Sequence, residues 1–392
     1  MTSTSRTAPK ILIRTLPLGN ANYGGILQAF ALQSAVRSLG GVPVTDVSRS
    51  SGRPRVSTAR SVIKRIALTL NISRGKTSEW LVAETKQQVN KWLNTFVDQQ
   101  IDTIEIFDYR GRIDRDLVSS FDVFLAGSDQ VWRKVYADVP SYMFDFLDDS
   151  PKSRFSYAAS FGLDNVDEYG SELLTSAADL LGRFSSVSVR ESSGVALCAE
   201  HFGISAQQHV DPTLLLTADD YRSLLHKTQR RSPGHVVSYV LDKSRIVNET
   251  IGALNREYGS SVTDLSTFPP ATYQEFLSDR DRYVRPSVED WLASIEAAEI
   301  VITDSFHGTV FSILFNRPFV VFANATRGAS RFESLLSRFG LESRLVSSVD
   351  ESLAAAAMPI DWARVNDLVS DERDRGRAFI EKNVKSSLSR SS

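Results

Sequence analysis

Apolar residues along the chain fall into short runs that end in small or polar residues, and most runs lead into a stretch whose apolar positions recur at helical spacing. The first run, "KILIRTL" at 10–16, is followed by the loop "PLGNANYGG" and then by "ILQAFALQSAVRSLG", whose helical repeat stops at Gly40 and Gly41. A second run, "VPVTDV", comes next, so the start of the chain predicts a strand, a helix and a strand. "FDVFLAGSDQVW" (121–132), "SRFSYAASFG" (153–162), "FSSVSVRES" (184–192) and "AQQHVDPTLLL" (206–216) repeat the theme of a buried strand ending in a small or polar loop. Strands that alternate with helices imply a parallel sheet.

After "DPTLLL" the pattern restarts. Strand "HVVSYVLD" is followed by helix "SRIVNETIGALNREYG", strand "SSVTDLST", helix "VEDWLASIEAAE", strand "IVITDS", helix "GTVFSILFN" and strand "RPFVVFAN". The basic, proline-containing "HKTQRRSPG" reads as a surface connection between the two series. The expected fold class is α/β, with two Rossmann-like doubly wound domains facing across a cleft. The first, residues 10–215, carries a basic insertion at 48–78, and the second spans 216–360. Residues 1–9 read as a disordered tail, and 361–392 as a charged helix with one apolar stripe that packs back on the first domain. Ligands of doubly wound sheets bind at the carboxyl ends of the strands, so functional residues are sought in strand-to-helix loops.

Composition removes several classes. A chain of 392 residues with 42% hydrophobic and 9% aromatic content fills full-sized cores. Lys and Arg number 45 against 47 Asp and Glu, a formal charge of −2, so no global field favours nucleic acid. The single cysteine, Cys198, excludes internal disulfides and cysteine-based zinc clusters; in "SGVALCAE" it reads as a small hydrophobe on a helix. "MTSTSRTAPK" lacks the apolar core of a signal peptide, and no run of 18 apolar residues is free of charge, which predicts a cytoplasmic protein. Between Val47 and Ser78 there is no acidic residue but eight Arg and Lys. Within that segment "ARSVIKRIALTL" reads either as a basic amphipathic helix lying on an anionic membrane surface, through 49–76, or as a solvated insertion.

Candidate chemistry sits where strands end. In "ITDSFHGTVFSILF" the strand stops near Thr303 and a helix opens at Gly308-Thr309, which puts His307 at a helix N-terminus, where free N–H groups and the macrodipole favour an anion. Such a histidine can serve as a general acid; otherwise it caps the helix. Arg190, just past the strand in "VSVRES", has a guanidinium suited to clamp a carboxylate or phosphate, or to pair with Glu191. In "AGSDQVWR", Asp129 is a candidate base for an alcohol, and Trp132 or Tyr136 a face for a sugar; Ser128-Asp129 as a helix cap is the alternative. Gly24-Gly25 in "GNANYGG" permits close backbone contact, but the loop has neither a G-x-G-x-x-G nor a Gly-Lys-Ser/Thr signature. His209 and Asp211 of "HVDPTLLL" read as a turn. The five histidines are scattered without H-E-x-x-H, and no G-x-S-x-G occurs, so no metal site or serine hydrolase is expected.

Six segments, "NYGGILQAFAL", "GSDQVW", "AASFG", "VSVRES", "DPTLLL" and "TDSFHGTVFSILFNRPFVVF", in this order, resemble the polysaccharide pyruvyl transferase family from about Lys10 to Phe332. The resemblance implies a fold like the two-domain GT-B glycosyltransferases. It also implies transfer of pyruvate from phosphoenolpyruvate, as co-substrate and without a cofactor, onto two hydroxyls of one sugar to give a cyclic ketal. The family's arginine and histidine carry over onto Arg190 and His307. Some members have an arginine two residues before the histidine, where this chain has Ser305. Arg285, Arg327 or Arg331 is the expected substitute, beside Ser305, Gly308 and Thr309 at the helix start. Asn22, Tyr23, Gly24, Gly25 and Gln28, with Gln130 and Trp132, are placed on the acceptor side. A lipid-linked acceptor would put the protein at the inner face of the plasma membrane. The competing expectations are a GT-B glycosyltransferase using a nucleotide sugar and a non-catalytic carbohydrate-binding relative.

Overall fold

The computed structural model describes residues 8–20, 22–50, 87–225, 235–259, 261–266, 273–323 and 329–390. The tail through residue 7, most of the basic insertion and Arg327 lie outside these ranges. Two parallel sheets organise the described residues. The first contains β1 (Lys10–Arg14), β2 (Val42–Asp46), β3 (Thr103–Ile104), β4 (Val123–Asp129), β5 (Ser153–Ala159), β6 (Val187–Val189) and β7 (Ala206–Gln208), in the order β3-β2-β1-β4-β5-β6-β7. The second contains β8 (His235–Tyr239), β9 (Ser261–Asp264), β10 (Ile300–Thr303) and β11 (Phe319–Val321), in the order β11-β10-β8-β9.

Every residue of β4, β8, β10 and β11 is buried, which explains why they read as unbroken aliphatic runs: both faces of these strands are covered by other elements. In the first sheet the chain builds outward from β1 to β3 and then returns to β4 on the other side of β1. In the second it builds from β8 to β9 and returns to β10 on the other side of β8. Each sheet therefore has a topological switch point, between β1 and β4 and between β8 and β10, where the loops diverge and leave a crevice. The ends of all four strands contribute to one cleft of about 660 Å³ through Leu16, Asp129, Tyr239, Asp304 and Ser305.

Aromatic contacts join the halves. Tyr23, in the first helix Tyr23–Ser38, stacks on Trp291 of the helix Val288–Ala297 at 5.2 Å, and Tyr239 meets both edge-on. The Tyr23 hydroxyl donates to the Pro286 carbonyl at 2.7 Å. The C-terminal helix Trp362–Arg390 lays Phe379, Ile380 and Val384 on the core of the first sheet beside Phe155, Tyr157 and Leu215. Gly376 allows that approach, since a Cβ there would stand 2.3 Å from the Tyr157 hydroxyl.

Two local expectations are corrected. The helix bearing His307 begins at Phe306 rather than at Gly308, because the Ser305 side chain caps it by accepting from the Gly308 N–H. Ser128-Asp129 does not cap a helix: β4 runs through Asp129, whose φ of 68° is left-handed, and Ser128 Oγ donates to the Ala158 carbonyl at 3.0 Å. No helix among the described residues is long and apolar enough to cross a membrane.

Candidate functional site

His307 occupies the first turn of the helix Phe306–Leu314 and lines the floor of the cleft while only 6% exposed. One edge of its ring lies over the first turn of the helix Tyr23–Ser38. There Gly24 is required, because a Cβ on it would be 1.9 Å from His307 Nδ1. The other ring nitrogen, Nε2, stands 3.6 Å from Asp211 Oδ2. Asp211 is fully buried at the start of the short 3-10 turn Pro212–Leu215, where its Oδ1 accepts from the Thr213 N–H at 3.0 Å and from Thr213 Oγ1 at 2.8 Å. Burial alone would raise the pKa of this carboxyl. The neighbouring His307, then Arg190 and the Thr213 N–H, outweigh burial and hold it well below the usual carboxylate range.

Arg190, directly after β6, donates from Nη1 to Asp211 Oδ2 at 2.9 Å and lies near Glu191 at 3.9 Å and Asp129 at 4.0 Å. Burial lowers its pKa, but these three carboxylates reverse the effect and raise it. Its guanidinium rests against the Phe306 ring at 4.4 Å, it is 5% exposed, and it is not among the residues lining the cleft. The expected clamp is thus a buried counter-ion to three acids, and its charge is already matched from within. Arg331, from the helix Ser330–Phe339, takes the position on the cleft wall instead. It is 8% exposed, meets the same Phe306 ring at 6.0 Å, and has its pKa pushed down to about 10 by burial and then by Arg190.

The cleft brings together Asn22, Asp129, Gln130, Arg285, Ser305, His307 and Arg331 of the residues singled out in the sequence. Several others are elsewhere. Trp132 is fully buried and packs its ring 5.2 Å from Phe161, so it has no face for a sugar; Tyr136, 51% exposed at the rim over Arg133, has one. Tyr23 is sealed between the halves. Gln28 is buried, donating to Thr15 Oγ1 and the Gly25 carbonyl, and Gly25 lies against the Asn22 side chain. Gly308 and Thr309 are buried behind the helix start, and the Thr309 hydroxyl donates to the Ser305 carbonyl at 3.1 Å. Asp304 uses its carboxylate on the N–H groups of Leu241 and Asp242, which fixes the loop after β8 to the end of β10.

Two groups at the site are not among the sequence candidates. Asp211, part of a turn in the sequence, is fully buried behind His307 just past β7 and does not line the cleft. Arg49 follows β2 and lines the cleft. The cleft wall next to it, Asp138–Tyr142, is pinned from below by Arg14. This buried residue pairs with Asp46, donates to the Ser141 carbonyl and hydroxyl, and lies 4.5 Å from the Tyr142 ring. Among the described residues, no group of three or more His, Cys, Asp or Glu could hold a metal ion.

Two facing α/β sheets with a histidine-bearing cleft at their switch points have the architecture of a substrate-binding enzyme. The chain belongs to the polysaccharide pyruvyl transferase family, whose sequence profile matches residues 22–326. No match is found among curated proteins. Similar solved structures include a UDP-GlcNAc 2-epimerase from Neisseria meningitidis bound to UDP-GlcNAc, 12% identical over 97% of this chain and 100% of that one, with a TM-score of 0.49. S. aureus MnaA with UDP is 12% identical over 92% and 91% of the two chains, with a TM-score of 0.47. A UDP-GlcNAc 2-epimerase from Methanocaldococcus jannaschii is 11% identical over 90% and 92%, with a TM-score of 0.46. At these identities and scores the likenesses carry no argument about chemistry.

Proposed function

We propose that the protein transfers pyruvate from phosphoenolpyruvate onto two hydroxyls of one sugar in a polysaccharide or glycolipid precursor, closing a cyclic ketal. Family membership supports the coarser statement, a transferase acting in polysaccharide modification. The observation that carries the finer reading is His307 in the first turn of a helix that opens on the cleft, with Asp129 on the facing strand end and Arg331, Arg285 and Arg49 in the walls.

Phosphoenolpyruvate carries a carboxylate and a phosphate close together. The helix start and Arg331 suit one anion, with Arg285 or Arg49 for the other. Arg331 then supplies the cation that Ser305, occupied as a helix cap, does not. In the proposed course His307 delivers a proton to the methylene carbon while Asp129 takes one from the first sugar hydroxyl, whose oxygen bonds to the central carbon. Phosphate leaves from that carbon, the second hydroxyl adds in its place, and its proton goes to the departing phosphate or to solvent. Each well-placed donor at the developing charge contributes about 3–4 kcal/mol.

Thermal-shift titration tests the donor. Stabilisation by phosphoenolpyruvate and not by UDP or GDP is expected; the reverse result would favour glycosyl transfer from a nucleotide sugar. Replacing His307 with Ala is expected to abolish phosphate release with an unchanged circular dichroism spectrum. Turnover retained at half the original level would remove the histidine from the reaction. Sugar binding without any phosphate release would leave a binding protein.

A further inference from the structure

The buried carboxylate of Asp211 belongs to the first half of the molecule, and the imidazole it faces belongs to the second. Its two oxygens are used differently. Oδ1 is taken up by Thr213, while Oδ2 accepts from Arg190 Nη1 at 2.9 Å, lies 3.3 Å from Ser128 Oγ and points at His307 Nε2, 3.6 Å away. That nitrogen is buried and makes no hydrogen bond among the described residues. Closing the gap by about 0.5 Å, a displacement that substrate-bound sites commonly show, completes a hydrogen bond. Gly24 packs on the ring beside Nδ1 and leaves the imidazole little room to rotate.

We infer that Asp211 is a positioning residue: it holds His307 with Nε2 turned toward the first half, so that the Nδ1 edge is the one presented to substrate, and it makes the proton chemistry depend on the register of the two sheets. This rests on His307 being the acid. Of the other charged groups around the ring, Asp129 and Arg190 come from the ends of β4 and β6, Asp304 from β10, and Arg331 and Arg285 from the cleft wall. Asp304 is bound to two backbone N–H groups, and among the described carboxylates it is Asp211 that comes within 3.6 Å of a ring nitrogen.

The test uses the full chain with 15N-labelled histidine. There are five histidines, and the His307 signals are those missing from H307A. One dominant tautomer, protonated at Nε2, is expected in the original protein. In Asp211→Asn that preference is expected to be lost. The same variant should lower kcat for phosphate release about 100-fold, with KM for phosphoenolpyruvate changed less than about threefold. Should Asp211→Asn fail to fold, Thr213→Val, which removes the hydroxyl and leaves the backbone N–H as the donor to Oδ1, loosens the carboxylate and is expected to mix the tautomers. An unchanged tautomer in either folded variant overturns the inference. A protein in which the variant loses the tautomer preference yet which releases no phosphate from phosphoenolpyruvate keeps the coupling and loses the assigned reaction; an active enzyme whose variant keeps the preference loses the coupling alone.

Discussion

The imidazole of His307 sits in a slot cut to its thickness. Gly24 forms one wall, and a single added carbon would reach 1.9 Å from Nδ1. Gly24→Ala is therefore expected to push the ring off its position and lower phosphate release about 100-fold, the scale of an ångström misplacement, while the melting temperature stays within a few degrees; an unaltered rate would show that the ring has room to spare. Arg331→Ala should act on binding instead, raising KM for phosphoenolpyruvate at least about tenfold with a smaller change in kcat. That His307 and Asp129 reach the cleft was legible in the sequence, because one follows and the other ends an aliphatic strand with small residues around it. Trp132 was misplaced for a physical reason. "GSDQVW" looks like a polar loop, and the partners that turn the indole inward, Phe161 and Val139 among them, come from segments whose packing no local pattern reveals. Asp211 was overlooked because Asp-Pro is a sound turn signal, and it does make a turn; the carboxylate serves the site as well.

At the scale of elements, the long aliphatic strands and the helices with a clear apolar repeat could be read directly. The two-residue β3, held to β2 by pairing at Thr45–Thr103 and Asp46–Ile104, is too short to produce a pattern. The start of the His307 helix was misjudged by two residues because glycine reads as a boundary, whereas the cap chemistry sits in Ser305. The docking of the C-terminal helix places Phe379 4.5 Å from the His209 ring, whose Nδ1 is 2.9 Å from Ser188 Oγ. Burial, then Arg375 and Arg338, pushes the pKa of His209 down to about 4. An unfolded histidine titrates near 6.5, so between these values the unfolded chain binds the extra proton. The stabilising contribution is full above about pH 6.5 and is lost as the pH falls toward 4. Melting temperatures at pH 7, 6 and 5 are expected to decline in the original protein and to decline less in His209→Gln; parallel slopes would contradict the assignment.

For the whole molecule, the stack of Tyr23, Tyr239 and Trp291 is what sets one sheet against the other. Two sheets facing across a cleft were legible from the restart of the strand and helix pattern, but the contact that joins them was not: Tyr23 reads as an acceptor-side residue in "NYGG", and no local pattern pairs it with Trp291. Trp291→Ala is expected to destabilise the fold by about 3–5 kcal/mol in urea unfolding and to lower turnover further than Tyr23→Phe, which removes one hydrogen bond worth about 1 kcal/mol. The C-terminal helix has a different bearing on the molecule's history. It covers Phe155, Tyr157 and Leu215, residues made well before it. During synthesis the ribosome releases those side chains long before residue 362 is translated, so the first sheet must wait, with an apolar patch uncovered, for this later segment to arrive. Nascent chains halted short of that point would expose a surface suited to chaperones or to one another.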